Sequence, residues 1–316
     1  MTDGSRRAIV AAFLANLGIA FAKIVAFLFT GAASMLAEGV HSLADTGNQA
    51  LLILGASRAR QRPTREHPFG FGRERYFWAF VVALVLFSLG ALSAVSEGVE
   101  KLWHPHQITA PEWALGVLVV AIALESFSLR TAMREAGGRQ GAETWWEFIR
   151  RTKAPEIPVV LLEDVGALIG LLFAAGGIGL ALATGDARWD AVGSVAIGLL
   201  LGAIAIVLAV EMKSLLIGEA AAPEIVAAIR VALAGAPGVT HVIHLRTLHL
   251  GPEDLLVAAK VAFEPTMSLR VVADAVNTLE AAVRARVPAA RLIFIEPDVF
   301  RPERAAGEDH ESRIYP

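Results

Sequence analysis

Long apolar stretches dominate the first two-thirds of the chain and set the first expectation for its fold. Each approaches or exceeds the ~20 residues that a helix needs to cross hydrocarbon, and they run approximately over 8–31, 33–56, 76–99, 113–131, 158–184 and 189–210. Hydrocarbon offers no water to pair with backbone N–H and C=O groups, so each stretch has to be helical. The pattern therefore predicts a membrane all-α bundle of six helices over residues 1–217.

Beyond residue 217 the long apolar stretches give way to shorter helical and strand patterns, which predict a small folded domain. An amphipathic helix is expected first, then two strands, a second helix and a third strand, over 222–235, 239–250, 255–263, 268–287 and 292–299. This αββαβ order predicts an α+β domain over residues 218–300, with helices on one face of a small sheet. A flexible polar tail is expected over 301–316.

The loops between the apolar stretches differ in charge, and this difference predicts an orientation. The connections 57–75 and 130–157 are rich in arginine, whereas 30–32, 100–112 and 185–188 are short and poor in Lys and Arg. Basic loops stay on the cytoplasmic side, so both chain ends are expected there. The first apolar stretch is too long for a cleaved signal peptide. The expected location is a bacterial inner membrane.

Composition narrows the classes of function. With 55% hydrophobic residues and a mean hydropathy of +0.56, the chain is too apolar for a soluble protein of 316 residues. The net charge of −3 gives no basic field, which excludes nucleic acid as an expected partner. Cysteine is absent, so any metal has to be held by His, Asp, Glu or amide groups.

Ionisable side chains interrupt the second apolar stretch at helical spacing. Glu38, His41, Asp45 and Asn48 lie on one stripe of a helix that turns every 3.6 residues. Ionisable groups such as the first three cost about 2.5 to 3.5 kcal/mol each at membrane depth, and the stripe as a whole marks these four as candidate functional residues. His41 and Asp45 together provide half of a tetrahedral metal site, and the alternative is a hydrogen bond between them that ties the helix to a neighbour.

The fifth apolar stretch contains two adjacent carboxylates, Glu163 and Asp164, with apolar residues on both sides. Neighbouring helical residues point about 100° apart, so at most one of the two faces the same ion squarely. We favour Asp164 as the ligand. Glu163 then either supports the ligands or carries a proton, and the alternative is that it packs against a polar spot on another helix.

Several short motifs resemble the cation diffusion facilitator family along the whole chain. The resemblance is carried by the segments 41–45 (HSLAD), 67–73 (HPFGFGR), 190–194 (DAVGS), 216–219 (LIGE), 237–239 (PGV) and 245–247 (LRT). Within that family the chain is most similar to the branch that contains the mitochondrial zinc transporter nine. That likeness lies in Glu163 beside Asp164 and in Lys153–Ala154–Pro155 before the span.

The resemblance implies a six-span homodimer that exports Zn(II) or a related cation in exchange for protons, with a ferredoxin-like cytoplasmic domain. The family's four ligand positions correspond to His41, Asp45, Val160 and Asp164, and Val160 cannot bind a metal. The fourth ligand is then Glu163, Asn48 or water. Because the ligands contain no sulfur, Mn(II), Fe(II), Co(II) and Ni(II) remain compatible with the site. No organic cofactor is expected.

The accessory metal sites of the family are expected to be lost. Phe71 stands where a second histidine is common in the first basic loop. In the C-terminal domain the corresponding positions hold Ile243, Ala259, Phe294 and Ile295, while His241 and His244 are interpreted as strand-surface residues. Dimerisation is therefore the expected role of that domain.

The expected mechanism is proton antiport by alternating access. His41 has to be neutral to bind a metal, so proton entry would expel the ion. Two alternatives are a metal-dependent intramembrane hydrolase and a non-transporting membrane scaffold. The spans contain neither His-Glu-x-x-His nor Gly-x-Ser-x-Gly, so we expect no enzyme.

Overall fold

The computed structural model describes residues 33–105, 111–141 and 143–301, together with positions 13, 17, 18, 21 and 25. The rest of the first predicted span and of the predicted tail lie outside the described residues. The chain divides into two compact units. The helical unit comprises residues 1–62 and 73–216, and the C-terminal unit comprises residues 63–72 and 217–316.

Five long helices and one short helix build the described part of the helical unit. They are α1 (Ala33–Arg58), α2 (Glu74–Trp103), α3 (Pro111–Gln140), α4 (Trp145–Arg151), α5 (Glu156–Thr184) and α6 (Arg188–Ile217), and α2 contains a π-helical turn at Val82–Phe87. Among the residues described, α2, α5 and α6 are long and apolar enough to cross a membrane, judged by length and composition. The helical character is as predicted, while the count of six spans stays a prediction.

Large apolar side chains cover the outer surface of these helices. Leu92 of α2 is 65% exposed, Phe127 of α3 is 72% exposed and Ile206 of α6 is 66% exposed. Apolar surface on this scale is unfavourable in water. Lipid chains are as apolar as these side chains, so the exposure fits a unit that has hydrocarbon as its solvent.

One stripe of α2 packs against one stripe of α6 to form the core of the helical unit. Tyr76, Ala79 and Val82 lie at three-residue intervals on α2 and are fully buried. They belong to one cluster with Leu208 and Met212, which lie four residues apart on α6. These are the intervals at which residues share a helix face.

Glycines allow α2 and α6 to touch backbone to backbone. A Cβ on Gly98 would lie 2.8 Å from the amide nitrogen of Val195, and one on Gly198 would lie 2.8 Å from the carbonyl oxygen of Ala91. Small residues at helix crossings are typical of membrane helices, whose association depends on close packing. The α5 helix ends at Gly185, whose φ of 71° is readily adopted only by glycine.

The short helix α4 was not predicted. Thr144 and Glu147 form a reciprocal capping box at its start, with the Thr144 amide donating to Glu147 Oε2 at 3.0 Å. Phe148 and Ile149 bury their side chains against Ala136 and Leu161. This packing attaches the second basic loop to α3 and α5.

The C-terminal unit contains a three-stranded sheet and two helices in the predicted order. The elements are α7 (Pro223–Ala234), β1 (Val239–Gly251), β2 (Asp254–Phe263), α8 (Leu269–Arg286) and β3 (Ala290–Asp298). The strand order is β1–β2–β3, with β1 and β2 antiparallel and β2 and β3 parallel. Alternate residues of β2, such as Val257 and Val261, are buried against Ile229 and Leu279 of the helices.

The first basic loop packs within the C-terminal unit, which the sequence did not indicate. A Cβ on Gly72 would lie 2.5 Å from the carbonyl oxygen of Leu250, and a Cβ on Gly251 would lie 3.0 Å from the Gly72 Cα atom. The segment after α6 is also fixed to β1, since the amide of His249 donates to the Glu219 carbonyl at 2.9 Å. Within the C-terminal unit, residues 63–72 and the segment that begins at residue 217 therefore both contact the last residues of β1.

Candidate functional site

A hydrogen bond between α1 and α5 brings together two of the predicted site residues. Asn48 Nδ2 donates to Glu163 Oε1 at 3.0 Å, across 115 positions of sequence. Asn48 is 5% exposed and Glu163 is half-buried. The polar stripe of the second predicted span therefore meets the fifth predicted span at this point.

The geometry of this hydrogen bond fixes the orientation of the Asn48 amide. The amide nitrogen of Asn48 is the donor in this bond, so its NH₂ group faces Glu163. Asn48 Oδ1 is then at the other end of the amide, where it is buried and has no hydrogen-bond partner among the described residues. An unsatisfied buried acceptor costs about 1 to 3 kcal/mol, and a cation is one ligand that would remove this cost.

The neighbouring carboxylate meets a different helix. Ser128 Oγ of α3 donates to Asp164 Oδ2 at 3.2 Å. Glu163 and Asp164 thus contact α1 and α3 respectively, as the angle of about 100° between adjacent helical residues requires. Ser128 was not recognised from the sequence, because a lone serine in an apolar stretch is usually a structural residue.

His41 and Asp45 lie on the same helix as Asn48, but their side chains lie outside the described residues. The helix is continuous from Ala33 to Arg58, so Asp45 precedes Asn48 by about 4.5 Å along the axis and His41 by about 10.5 Å. Within the side chains that are described, no three His, Asp or Glu residues converge. The predicted metal site therefore stays a prediction that depends on His41 and Asp45.

A buried ion pair joins the starts of α2 and α5. Arg75 Nε and Nη2 donate to the two carboxylate oxygens of Glu156 at 2.6 and 2.8 Å, and the side chains are only 12% and 14% exposed. Two parallel hydrogen bonds of this kind are strong and geometrically specific. The pair was not predicted from the sequence, because its members are 81 positions apart.

In the C-terminal unit a lysine occupies the middle of the sheet face that the helices leave open. Lys260 Nζ lies 3.0 Å from Asp298 Oδ2 and 3.3 Å from Glu296 Oε1 on β3. His244 is its partner on β1, while His241 stacks on Phe300 with ring centroids 3.8 Å apart. The ammonium group of Lys260 therefore neutralises part of the negative charge of Asp298 and Glu296.

The charges of this cluster shift each other's titration. The hydrogen bonds to Asp298 and then to Glu296 raise the pKa of Lys260 above its ordinary value. The hydrogen bond from Lys260 lowers the pKa of Asp298, and the backbone amide of Val299 adds to this. Lys260 and Asp298 are therefore charged together across the neutral pH range.

Two family descriptions match nearly the whole chain. Residues 9–217 match the cation efflux transmembrane domain, and residues 221–298 match the cation efflux protein cytoplasmic domain. The boundary between these matches lies in the segment that follows α6.

Curated relatives match over most of the chain. The "Proton-coupled zinc antiporter SLC30A9, mitochondrial" of Xenopus laevis is 32% identical over 263 residues, covering 83% of this chain and 47% of that protein. The Homo sapiens protein of the same name is 32% identical, covering 83% and 46%. "Metal tolerance protein C4" of Arabidopsis thaliana is 34% identical over 218 residues, covering 68% and 48%. The chain thus spans about half the length of these relatives.

These relatives correct the expected location. The Xenopus and human proteins are both named as mitochondrial, so the bacterial inner membrane expected from the sequence is wrong. That expectation rested on loop charge and composition, which report orientation and membrane insertion but do not distinguish one energised membrane from another.

Proposed function

We propose that this chain, which belongs to the cation efflux family, transports a divalent metal cation across a membrane in exchange for protons, with zinc as its substrate. The family assignment confirms the resemblance seen in the sequence. Members of this family are transporters, so the hydrolase alternative loses its support. The proposed location is a mitochondrial membrane, in line with the names of the vertebrate relatives.

The observation that carries this proposal is the contact between Asn48 and Glu163 inside the helical unit. We propose that Asn48 Oδ1 is the fourth ligand, beside His41, Asp45 and Asp164. Glu163 then holds the amide so that its oxygen remains available to the cation. Amide and carboxylate oxygens with one imidazole suit Zn(II) and also Mn(II), Fe(II), Co(II) and Ni(II).

Exchange with protons follows from the chemistry of this ligand set. An imidazole has an ordinary pKa near 6.5 and binds a metal only when neutral. Protonation of His41 from the acidic side would therefore release the cation, while deprotonation on the other side would restore binding.

The proposed assembly is a homodimer of six-span protomers, each with a ferredoxin-like C-terminal unit. Support comes from the match to the cation efflux cytoplasmic domain and from the open sheet face. That face contains a row of aliphatic residues, Leu248, Leu256 and Leu292, in register across the three strands. Next to it lies Phe294, which is 55% exposed.

Zinc flux into proteoliposomes tests the proposed site. With a zinc indicator inside the vesicles and an imposed pH gradient, we expect Asn48→Ala to lower the apparent zinc affinity by about ten-fold or more, a typical effect of losing one ligand or its support. Asn48→Asp keeps an oxygen ligand and should retain transport. His41→Ala should remove the dependence of flux on the pH gradient.

The variants Asn48→Ala and Glu163→Gln separate the two candidates for the fourth ligand. Glutamine at 163 still accepts the hydrogen bond of Asn48 through its carbonyl oxygen, so we expect a smaller loss of zinc affinity than with Asn48→Ala. Gln49→Ala is the matched control, because it removes a neighbouring amide from the same helix. If Glu163→Gln abolishes zinc binding while Asn48→Ala leaves it unchanged, Glu163 is the ligand and this part of the proposal is wrong.

A further inference from the structure

A cleft opens between α3 and α5, away from the Asn48 contact. Its volume is about 450 Å³, and it is lined by Ser126, Leu129, Arg130, Met133, Arg134 and Leu168. The lining combines two guanidinium groups and a hydroxyl with three large apolar side chains. Such a combination matches a ligand that has a negatively charged head and a hydrocarbon body.

The two arginines of the cleft are not used by the fold. Arg130 and Arg134 are one helical turn apart on α3, and both are exposed. Neither of them forms an ion pair with any carboxylate in the described part of the chain, whereas Arg75, Arg150 and Arg151 in the same unit all do. Side chains at this spacing lie about 5 to 6 Å apart at Cβ, so both can reach one phosphate group.

The sequence places this arginine pair at the depth of lipid headgroups. Arg130 lies at the end of the fourth apolar stretch, 113–131, and Arg134 follows one turn later in the second basic loop. Preceding residues of α3 expose apolar side chains, with Leu124 at 63% and Phe127 at 72%. A phosphate held by the arginines would thus have its acyl chains beside an apolar helix surface.

We infer that this cleft binds an anionic phospholipid from the leaflet on the basic side of the membrane. Arg130 and Arg134 hold the phosphate, and Leu129, Met133 and Leu168 contact the first part of an acyl chain. Basic pockets between membrane helices on this side are suited to such headgroups. A free phosphate would use the arginines but would leave the apolar walls without a partner.

A lipid in the cleft would also stabilise the helix contact beside the candidate metal site, a consequence that rests on the proposed function. Ser128, which donates to Asp164, lies on α3 between Ser126 and Arg130, and Leu168 is one turn after Asp164 on α5. An occupant that touches both helices therefore holds α3 against α5 where the Ser128 hydrogen bond forms.

Native mass spectrometry of the purified full chain tests the binding itself. The protein is mixed with phosphatidylglycerol, cardiolipin or phosphatidylcholine, and retained lipid is counted. We expect preferential retention of the two anionic lipids. The double variant Arg130→Gln, Arg134→Gln should bind them about thirty-fold more weakly, since each basic residue near an anionic surface contributes about five-fold to the affinity. The double lysine variant keeps the charges but not the bidentate geometry, and it should lose less.

The control is Arg58→Gln with Arg60→Gln, which removes two exposed arginines on the same side of the membrane. Its lipid retention should stay within two-fold of the unmodified protein. Equal retention by both double variants would overturn the inference, as would displacement of the lipid by millimolar inorganic phosphate alone. Tm is measured for each variant, and lost retention with an unchanged Tm supports the site.

Zinc flux in vesicles with and without phosphatidylglycerol tests the consequence separately. A flux that rises with the anionic lipid in the unmodified chain, but not in the glutamine variant, supports the link to Asp164. Lipid retention without any zinc flux would leave the lipid site standing and would refute the proposed function instead.

Discussion

The ion pair between Arg75 and Glu156 provides a quantitative test of how α2 and α5 are held at their first turns. Glu156→Gln removes the charge of the carboxylate and keeps its size, so Arg75 loses the counter-charge of this pair while it stays almost buried. Breaking one partner of a buried pair costs about 3 to 5 kcal/mol. The side chains are 12% and 14% exposed, so water screens part of this cost. We therefore expect Glu156→Gln to lower the free energy of unfolding by about 2 to 4 kcal/mol.

A loss of this size should be visible in thermal unfolding. For a helical unit of this length it corresponds to a decrease in Tm of about 5 to 15 °C, measured on the detergent-solubilised protein by tryptophan fluorescence. The double variant Arg75→Met, Glu156→Leu removes both charges together. It should recover most of the stability, because a buried pair replaced by apolar residues of similar volume is often neutral.

The chain contains a matched control for this experiment. Arg151 and Glu143 also form an ion pair, but their side chains are 44% and 33% exposed. Pairs of this kind contribute less than about 1 kcal/mol, so Glu143→Gln should hardly change Tm. The reasoning fails if Glu143→Gln and Glu156→Gln lower Tm equally, or if the apolar double variant is less stable than Glu156→Gln alone.

Two further predictions concern close packing and pH. Gly198→Ala places a Cβ 2.8 Å from the Ala91 carbonyl oxygen, so this variant should lower Tm. The control is Gly176→Ala, whose Cβ meets nothing within 4 Å and which should leave Tm unchanged. Equal effects of the two variants on Tm would contradict the close packing of α2 on α6. Lys260→Met should destabilise the C-terminal unit at neutral pH. The pKa of Asp298 is lowered and that of Lys260 is raised. The difference in Tm between the unmodified chain and Lys260→Met should therefore persist up to pH 10.5 and narrow as the pH falls below 3.8. A difference in Tm that is independent of pH would refute the ionic role.

Most helices and strands were predictable because their signal is local. A run of about 20 apolar residues or an alternating strand reveals itself within a short window. The end of α3 was not predicted in this way, because the apolar stretch ends near residue 131 while the helix continues to Gln140. Charged residues end a membrane span but not a helix, and this helix ends where Gly141 adopts a φ of 63°.

The helix α4 did have a local signal that the hydropathy pattern obscured. Its seven residues, Trp145–Arg151, are surrounded by charge and were assigned to a basic loop. Thr144 followed three residues later by Glu147 is the pattern of a capping box, and it stands directly before an aromatic cluster. Reading caps as well as hydropathy would have predicted this helix.

Contacts between helices that are distant in sequence cannot be predicted from a local pattern. The two carboxylates of α5 show which part of the site could be predicted and which could not. Their spacing requires Glu163 and Asp164 to meet different neighbours, but only helix packing decides that these are Asn48 on α1 and Ser128 on α3. Under the proposed function, one cation draws ligands from both α1 and α5, while α3 holds Asp164 in place. A movement of α5 that breaks either hydrogen bond would therefore dismantle one side of the site, and this is how a change in helix packing would release the cation.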